Sequence, residues 1–362
     1  MRTEARLASL RRILAEEGVN AVAVERPANV AYLTGFERVF DDEPSSVCVV
    51  TPETACVHVD SRYDEAARAA AEGTAWSVAG PFVEVWDGVL RTLVAEGVSV
   101  LGLEASLPYS RYTAVSGKFT GEVRPADCWV ERVRQVKDAT EIERISAAAA
   151  LGDEAFEHVL GVIAPGVTEA TIALDLELYL RRHGSDGLAF PSIVAGGPNS
   201  SRPHAKVSDR ALERGDLLTL DFGARVDGYL SDMTRTIVVG PASDEQREIY
   251  ELVLAANEAG IDAVRPGRSG AKIDAAAREV IAAAGYGERF GHGLGHGVGI
   301  EVHEGPRVGP RGSDPVPLGA VVTVEPGVYV PGVGGVRIED LVVVGESGAV
   351  VLTHAPKHLI EV

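Results

Sequence analysis

Cysteine is scarce in this 362-residue chain, basic residues are outnumbered, and long apolar runs are missing. Each shortage excludes something. The three cysteines, Cys48, Cys56 and Cys128, form an odd set with no C-x-x-C pair, so neither a disulfide framework nor a cysteine metal site is expected. They read as buried apolar thiols in a reducing cytoplasm. Lys and Arg total 34 against 53 Asp and Glu, a net charge of -19. That balance favours solubility and argues against non-specific nucleic-acid or membrane-surface binding. No apolar stretch approaches the roughly 20 residues that span a bilayer. At the N-terminus Leu7, Leu10 and Leu14 sit at helical spacing among charges, unlike the apolar core of a signal peptide. Glu4, Glu16 and Glu17 argue against a transit peptide, and the expected location is cytoplasmic.

What is present is an ordinary globular composition, 46% hydrophobic and 24% charged, with length enough for about two domains. The opening helix leads to an apolar strand, VNAVAVE. Two short β-rich runs follow, SSVCVVTP and ACVHVDSRY. DEAARAAAEG and EVWDGVLRTLVAEG read as helices ending at glycine, and SVLGLEA as a buried strand. This is an α/β domain over residues 1–133. The text changes near residues 130–138. A long helix pattern then begins, with Thr140 and Glu143 spaced as a capping box. Residues 134–362 form the second domain.

The second domain repeats itself. APGVTEATIALDLELYLRRHG, from Ala164, aligns without gaps on RPGRSGAKIDAAAREVIAAAG, from Arg265. LTLDFG, ending at Gly223, matches VTVEPG, ending at Gly327. Each is followed by a turn and a second β run, DMTRTIVVG or VRIEDLVVVG. The segments between end in His204 and His303. The expected fold is two similar α+β halves facing each other, with ligands held between them.

Isolated carboxylates in apolar strands are costly unless a positive partner compensates them. Asp221 and Asp232 lie in or beside β text of the first half and could face each other across a hairpin; Glu325 and Glu339 do so in the second. Carboxylates can bridge two cations and offset their charge, and imidazoles complete such sets. HGLGHGVGIEVHE supplies His292, His296 and His303, interleaved with the five glycines from Gly291 to Gly299, whose backbone permits close approach to an ion or substrate. It matches neither a helical H-E-x-x-H site nor a dinucleotide loop.

In these segments the chain resembles the pita-bread metallopeptidases, the family of methionine aminopeptidase, aminopeptidase P and prolidase. DFG with a following Asp, HGLGHGVGIEVHE, TVEPGVY and GVRIED occur in family order across the second domain. NVAYLTGF and VDSRYDEAA make the first domain similar to the creatinase/prolidase-type N-terminal domain. The resemblance implies an α/β N-terminal domain and an α+β catalytic domain with a pseudo-twofold repeat. It implies two divalent cations, manganese foremost, with cobalt, iron or zinc as alternatives. Asp221 would hold one cation, Asp232 and Glu339 both, and His296 and Glu325 the second. A hydroxide between the metals would attack the scissile carbonyl, and Glu325 would pass its proton to the leaving amine. His204 and His303 would stabilise the tetrahedral intermediate or bind substrate, His292 would line a proline pocket, and Arg337 would orient the acids. Arg307 is a candidate for a dipeptide carboxylate. Tyr229 and Tyr329 read as packing or supporting groups, and Trp76, Trp86 and Trp129 as core.

The activity implied is hydrolysis of Xaa-Pro bonds in a dipeptide or short peptide. Xaa-Pro dipeptidase (prolidase) is the first reading and aminopeptidase P the alternative. Long-type aminopeptidase P sequences carry Ser before the metal histidine and Trp after it, where this chain has Gly295 and Gly297. A metal-independent creatinase-like hydrolase and a non-catalytic interaction protein are disfavoured by the complete acid set, and methionine aminopeptidase by the N-terminal domain. Analogy with the fold implies a homodimer.

Overall fold

The computed structural model describes residues 2–36 and 38–362, and the chain divides into two compact units, Met1–Arg134 and Gln135–Val362. Among the described residues no helix is long and apolar enough to cross a membrane.

In the first unit α1 (Arg2–Glu17) leads to β1 (Ala21–Val24), α2 (Pro27–Thr34), β2 (Ser46–Val50) and β3 (Ala55–Val59). Then follow α3 (Asp64–Ala71), β4 (Ser77–Ala79), α4 (Val85–Ala95), β5 (Val100–Glu104), α5 (Tyr109–Lys118), β6 (Glu122–Ala126) and α6 (Trp129–Arg134). One six-stranded sheet runs β4-β3-β2-β1-β5-β6. β1 and β5 pair in parallel, and the β1–β2 and β2–β3 pairs are antiparallel. Ala21, Ala23, Val47 and Val49 of the sheet pack with Trp86, Val89 and Leu93 of α4. Trp76, Trp86 and Trp129 are buried. The cysteines do not share one environment: Cys48 is buried, Cys56 half-buried and Cys128 exposed. Cys128 has a φ of 55° and sits beside Asp127 just before α6, so the expected burial fails there.

The second unit opens with α7 (Ala139–Leu160) and α8 (Glu169–Arg182). The capping box starting α7 is formed by Asp138 and Glu141, not Thr140 and Glu143. Asp138 accepts from the amides of Thr140 and Glu141, and Glu141 returns to the Asp138 amide. A carboxylate two residues upstream is already in place to take those amides, so Thr140 falls inside the helix.

β7 (Gly187–Leu188), β8 (Ile193–Gly196), β9 (Leu217–Phe222), β10 (Ala224–Val226), β11 (Tyr229–Leu230) and β12 (Met233–Val238) complete the first half. The second half has α9 (Asp244–Ala263), α10 (Gly270–Ala283), β13 (Gly295–Gly297), β14 (Glu304–Val308) and β15 (Val321–Val324). It ends with β16 (Gly327–Val330), β17 (Gly334–Arg337), β18 (Asp340–Gly345) and β19 (Gly348–Val351). The halves share a plan, because β12-β9-β8 is matched by β18-β15-β13 within the larger sheet. Leu218, Leu220 and Phe222 of β9 pack on Phe156, Ile172 and Leu176 of α7 and α8. Val322 and Val324 of β15 pack on Ile249, Val253 and Ile273 of α9 and α10. Strand alternation then turns Thr219 and Asp221, or Thr323 and the Glu325 that follows β15, to the face away from the helices.

The registers correct one expectation. Asp221 lies opposite Thr234, not Asp232. In the first half Leu220 pairs with Arg235, and in the second Val324 pairs with Asp340. Arg235 therefore corresponds to Asp340, and Thr234, one place along the ladder, corresponds to Glu339. Asp232 lies two residues before that place, after a connection containing β10 and β11. The corresponding residues also meet. Thr234 and Glu339 form an antiparallel bridge, with the Glu339 amide donating to the Thr234 carbonyl at 3.1 Å. Arg235 donates to Asp340 at 2.9 Å, both side chains being fully buried. This is the local twofold contact between the halves.

Candidate metal centre

The bridge between Thr234 and Glu339 brings acids from separate strands together. Ligand atoms of Asp232, His296 and Glu339 all lie within 4.8 Å of one another. His296 Nε2 is 3.3 Å from Glu325 Oε1 and 3.7 Å from Asp232 Oδ2. Asp221 joins through Arg337, whose Nη2 donates to Asp221 Oδ2 at 2.5 Å. Asp221, Asp232 and Glu339 are buried.

Glycine makes room for His296. A Cβ at Gly295 would stand 2.1 Å from the Thr323 carbonyl oxygen, and one at Gly297 would stand 2.1 Å from that of Gly305. Only glycine lets β13 lie this close to its neighbours. His296 Nδ1 lies 3.1 Å from the Gly297 carbonyl oxygen, which can only accept, so Nδ1 carries the proton and Nε2 turns to the acids. A fixed Nδ1–H with Nε2 turned to carboxylates is the arrangement of a metal-binding histidine.

Protein groups alone compensate the acids only in part. Burial, then the charges of Glu339, Asp221 and Glu325, push the Asp232 pKa well above the carboxylate range. Burial, then Glu325 and Asp221, do the same to Glu339. Asp221 is raised by burial despite Arg337, and its buried Oδ1 meets no hydrogen-bond donor among the described residues. Burial opposes ionisation of Glu325, yet the hydrogen bond and charge of His296 hold its pKa below the usual value. Burial also disfavours the His296 cation, but Glu325 and Glu339 outweigh it and raise the pKa to about 9. A cluster that draws a proton onto its imidazole, and leaves a buried carboxylate oxygen without a donor, fits divalent cations in that space.

Around the acids, His292 Nδ1 lies 2.8 Å from the Gly293 carbonyl oxygen, so Nδ1 carries the proton and Nε2 accepts from the Tyr329 hydroxyl at 2.9 Å. Tyr329 in turn accepts from Arg337 Nη1 at 2.8 Å. Arg278 of α10 donates to the carbonyls of Phe290 and His292, and Asp274 accepts from the Leu294 amide at 3.0 Å, which fastens the segment entering β13. In the first half Glu169 of α8 accepts from the amides of Gly196 and Ser208 and from Asn199 Nδ2, fastening the loop that carries His204. His204 and His303 are exposed, and the His303 ring centroid is 4.2 Å from that of His296. Burial, then the charges of His296 and His204, lower the His303 pKa.

The structure thus gathers Asp221, Asp232, His296, Glu325, Glu339, Arg337, His292 and His303, and His204 acts electrostatically on Asp221 and His303. Arg307 is exposed on β14, and its side chain makes no hydrogen bond or ion pair among the described residues. Tyr229 instead donates to Glu141 at 2.9 Å. Two threonines escaped the sequence reading. Thr234 donates to Glu339 Oε2 at 2.6 Å, and Thr323 donates to Glu325 Oε1 at 3.3 Å. Their signal was Asp-x-Thr and Thr-x-Glu in β text, which sets both side chains of each pair on one face.

The sequence matches Metallopeptidase family M24 over residues 143–346 and the Creatinase/Prolidase N-terminal domain over residues 6–136. A pita-bread catalytic unit preceded by that domain defines the class. The chain belongs to metallopeptidase family M24. It is 34% identical over 346 residues to the Xaa-Pro dipeptidase of Pyrococcus horikoshii, covering 95% of each chain. Among solved structures it is similar to an Xaa-Pro dipeptidase from Bacillus anthracis, with a TM-score of 0.93 and 38% identity over 99% of this chain and 100% of that one. It is also similar to an X-Pro aminopeptidase from Thermotoga maritima, with a TM-score of 0.89 and 36% identity over 98% of this chain and 99% of the other.

Proposed function

We propose that this metallopeptidase hydrolyses the Xaa-Pro bond of dipeptides, with Asp221, Asp232, His296, Glu325 and Glu339 holding two divalent cations, manganese first among them. The observation that carries the reading is the cluster of Asp232, His296 and Glu339 ligand atoms within 4.8 Å of one another, together with a buried Asp221 Oδ1 that meets no donor among the described residues. Bound there, the cations supply Lewis acidity toward the scissile carbonyl and acidify a water to act as nucleophile.

The chain's own groups do the rest. Glu325 accepts the nucleophile's proton and delivers it to the proline nitrogen as the bond breaks. His303, its pKa lowered, is neutral near pH 7 and presents one N–H donor. With His204 it stabilises charge growing on the carbonyl oxygen. His292 and Tyr329 wall the proline side, and exposed Arg307 pairs with the carboxylate of a dipeptide. Arg337 holds Asp221 and, through Tyr329, His292.

Aminopeptidase action is the second reading, favoured by the likeness to the Thermotoga maritima enzyme. Purified protein, stripped and reloaded with manganese, cobalt, iron or zinc, should cleave Ala-Pro. Cleavage of Xaa-Pro-Xaa tripeptides alone would reject the dipeptidase in favour of the aminopeptidase. Full activity after exhaustive chelation would reject the metal assignment.

A further inference from the structure

At the contact between the halves, Thr234 holds the place that Glu339 holds in the other half. Strict symmetry would set two carboxylates against each other there, and like charges so close are unfavourable. A hydroxyl stands in that position instead. Thr234 is fully buried. Its Oγ1 accepts from Arg337 Nε at 3.0 Å and lies 2.6 Å from Glu339 Oε2. A guanidinium can only donate, so the single hydroxyl proton is committed to Glu339. The adjacent cation polarises the hydroxyl and strengthens that donation. Nη2 of the same guanidinium donates to Asp221. One planar group thus aims an acid of the first half directly and an acid of the second half through Thr234. Thr323 works differently, since its hydroxyl accepts only a backbone amide, that of His296, and reaches Glu325 at 3.3 Å.

We propose that the Thr234 hydroxyl is a positioning group for the divalent-cation pair, fixing the orientation of the Glu339 carboxylate and coupling it to Asp221 through Arg337. This rests on the cation-binding reading given above. Its role is distinct from a contribution to folding, because removing the hydroxyl leaves Glu339 in place and ionisable but free to rotate.

The test is a titration of the full-length, chelator-stripped chain with Mn2+, followed by calorimetry, for the wild type, Thr234→Val and Thr234→Ser. Valine keeps the shape and loses the hydroxyl, and serine restores it. Thr234→Val should lose about 10- to 100-fold in affinity for at least one of the two Mn2+ ions, the usual effect of removing a group that orients a metal ligand. Thr234→Ser should stay within a few-fold of wild type. Two Mn2+ ions bound by the valine variant at wild-type affinity would overturn the proposal, as would a serine variant that loses as much as valine. If circular dichroism shows the valine variant unfolded, Thr234→Cys, a weak donor, replaces it in the comparison with serine. A wild type that binds no Mn2+ would sink the cation reading itself, a result separate from any difference among variants.

Discussion

Replacing Asp232 by Asn should stabilise the metal-free chain while removing its response to metal. With ligand atoms of Asp232 and Glu339 within 4.8 Å, an effective dielectric of about 20 gives repulsion of about 3.5 kcal/mol or more between the two charges. The His296 contact at 3.7 Å returns about 4.5 kcal/mol of attraction when that ring is protonated. These nearly cancel, so the burial penalty of a carboxylate, several kcal/mol, decides the sign. The expected gain is about 2 kcal/mol, or about 4–8 °C in the melting of a unit of this size. The pH dependence follows from the raised pKa. Protonated Asp232 stabilises the fold fully below the ordinary carboxylate pKa, about 4, and that contribution disappears as pH rises through the raised folded value. The gap between Asp232→Asn and wild type should therefore widen as pH rises from about 4 through that raised value. Differential scanning calorimetry of the chelated proteins measures it. Added Mn2+ should raise wild-type melting, by about 2.7 kcal/mol at 100 times its Kd, and leave the variant almost unmoved. A metal-free Asp232→Asn that melts below metal-free wild type near pH 8 would refute the reasoning.

Lys137 and Glu304 form an ion pair at 2.8 Å with side chains only 1% and 4% exposed. Lys137→Met should cost about 3–5 kcal/mol in denaturant unfolding by removing the buried cation beside Glu304, and the added change Glu304→Leu should recover most of it. Because Glu304 follows His303, Lys137→Met should also lower kcat; equal stability losses in the single and double variants would contradict the pairing. In the first unit, burial lowers the His58 pKa to about 4. His58 Nδ1 faces the Val47 carbonyl at 3.3 Å and Nε2 the Thr92 hydroxyl at 2.8 Å, an arrangement of the neutral ring. The stability this contributes is present above the unfolded pKa of about 6.5 and is lost as pH falls toward 4, a total of about 3 kcal/mol. His58→Gln should flatten that acid limb in urea melts, and an unchanged slope would exclude His58 as its source.

The acidic cluster was legible because a carboxylate in apolar strand text has few structural uses, and each half carries two such acids. The helix pairs and the order of the halves were legible from the repeat. Registers were not. Pairing Asp232 with Glu339 was natural by eye, since both precede a β run, yet the ladder sets Thr234 there. Sequence periodicity assigns a face but does not count the residues taken up by the connection through β10 and β11. Thr234, Thr323 and Tyr329 look like ordinary strand residues, and their meaning arises only from partners brought from elsewhere. The capping box slipped for a local reason: two acids and a threonine within four residues offer more than one cap, and Asp138 takes the amides. Arg307 shows a different boundary, because its expected partner belongs to a substrate and leaves no trace in the protein's own contacts.

The contact between the halves explains why a repeated fold yields an unequal site. Residues on a twofold axis face their own counterparts, so any charge placed there would meet itself. The chain breaks identity at both such places. Arg235 faces Asp340, turning self-repulsion into an ion pair, and Thr234 faces Glu339, turning it into a hydrogen bond. Arg235 also donates to the carbonyls of Thr234 and Glu339, while Asp340 accepts from Lys357 and Thr353. The pair on the helix side thereby clamps the backbone of the pair on the acid side. His296 follows the same logic. The ladders place Gly297 where Gly196 stands in the other half, so Ala195 occupies the position corresponding to His296. Among the proposed ligands imidazole comes from one half only, and Asp221 on the other side meets Arg337 instead. Under the proposed reading the two cation positions would therefore be unlike in ligand and in charge, and an unlike pair would suit polarising a carbonyl at one end and assisting a proton at the other, beside Glu325.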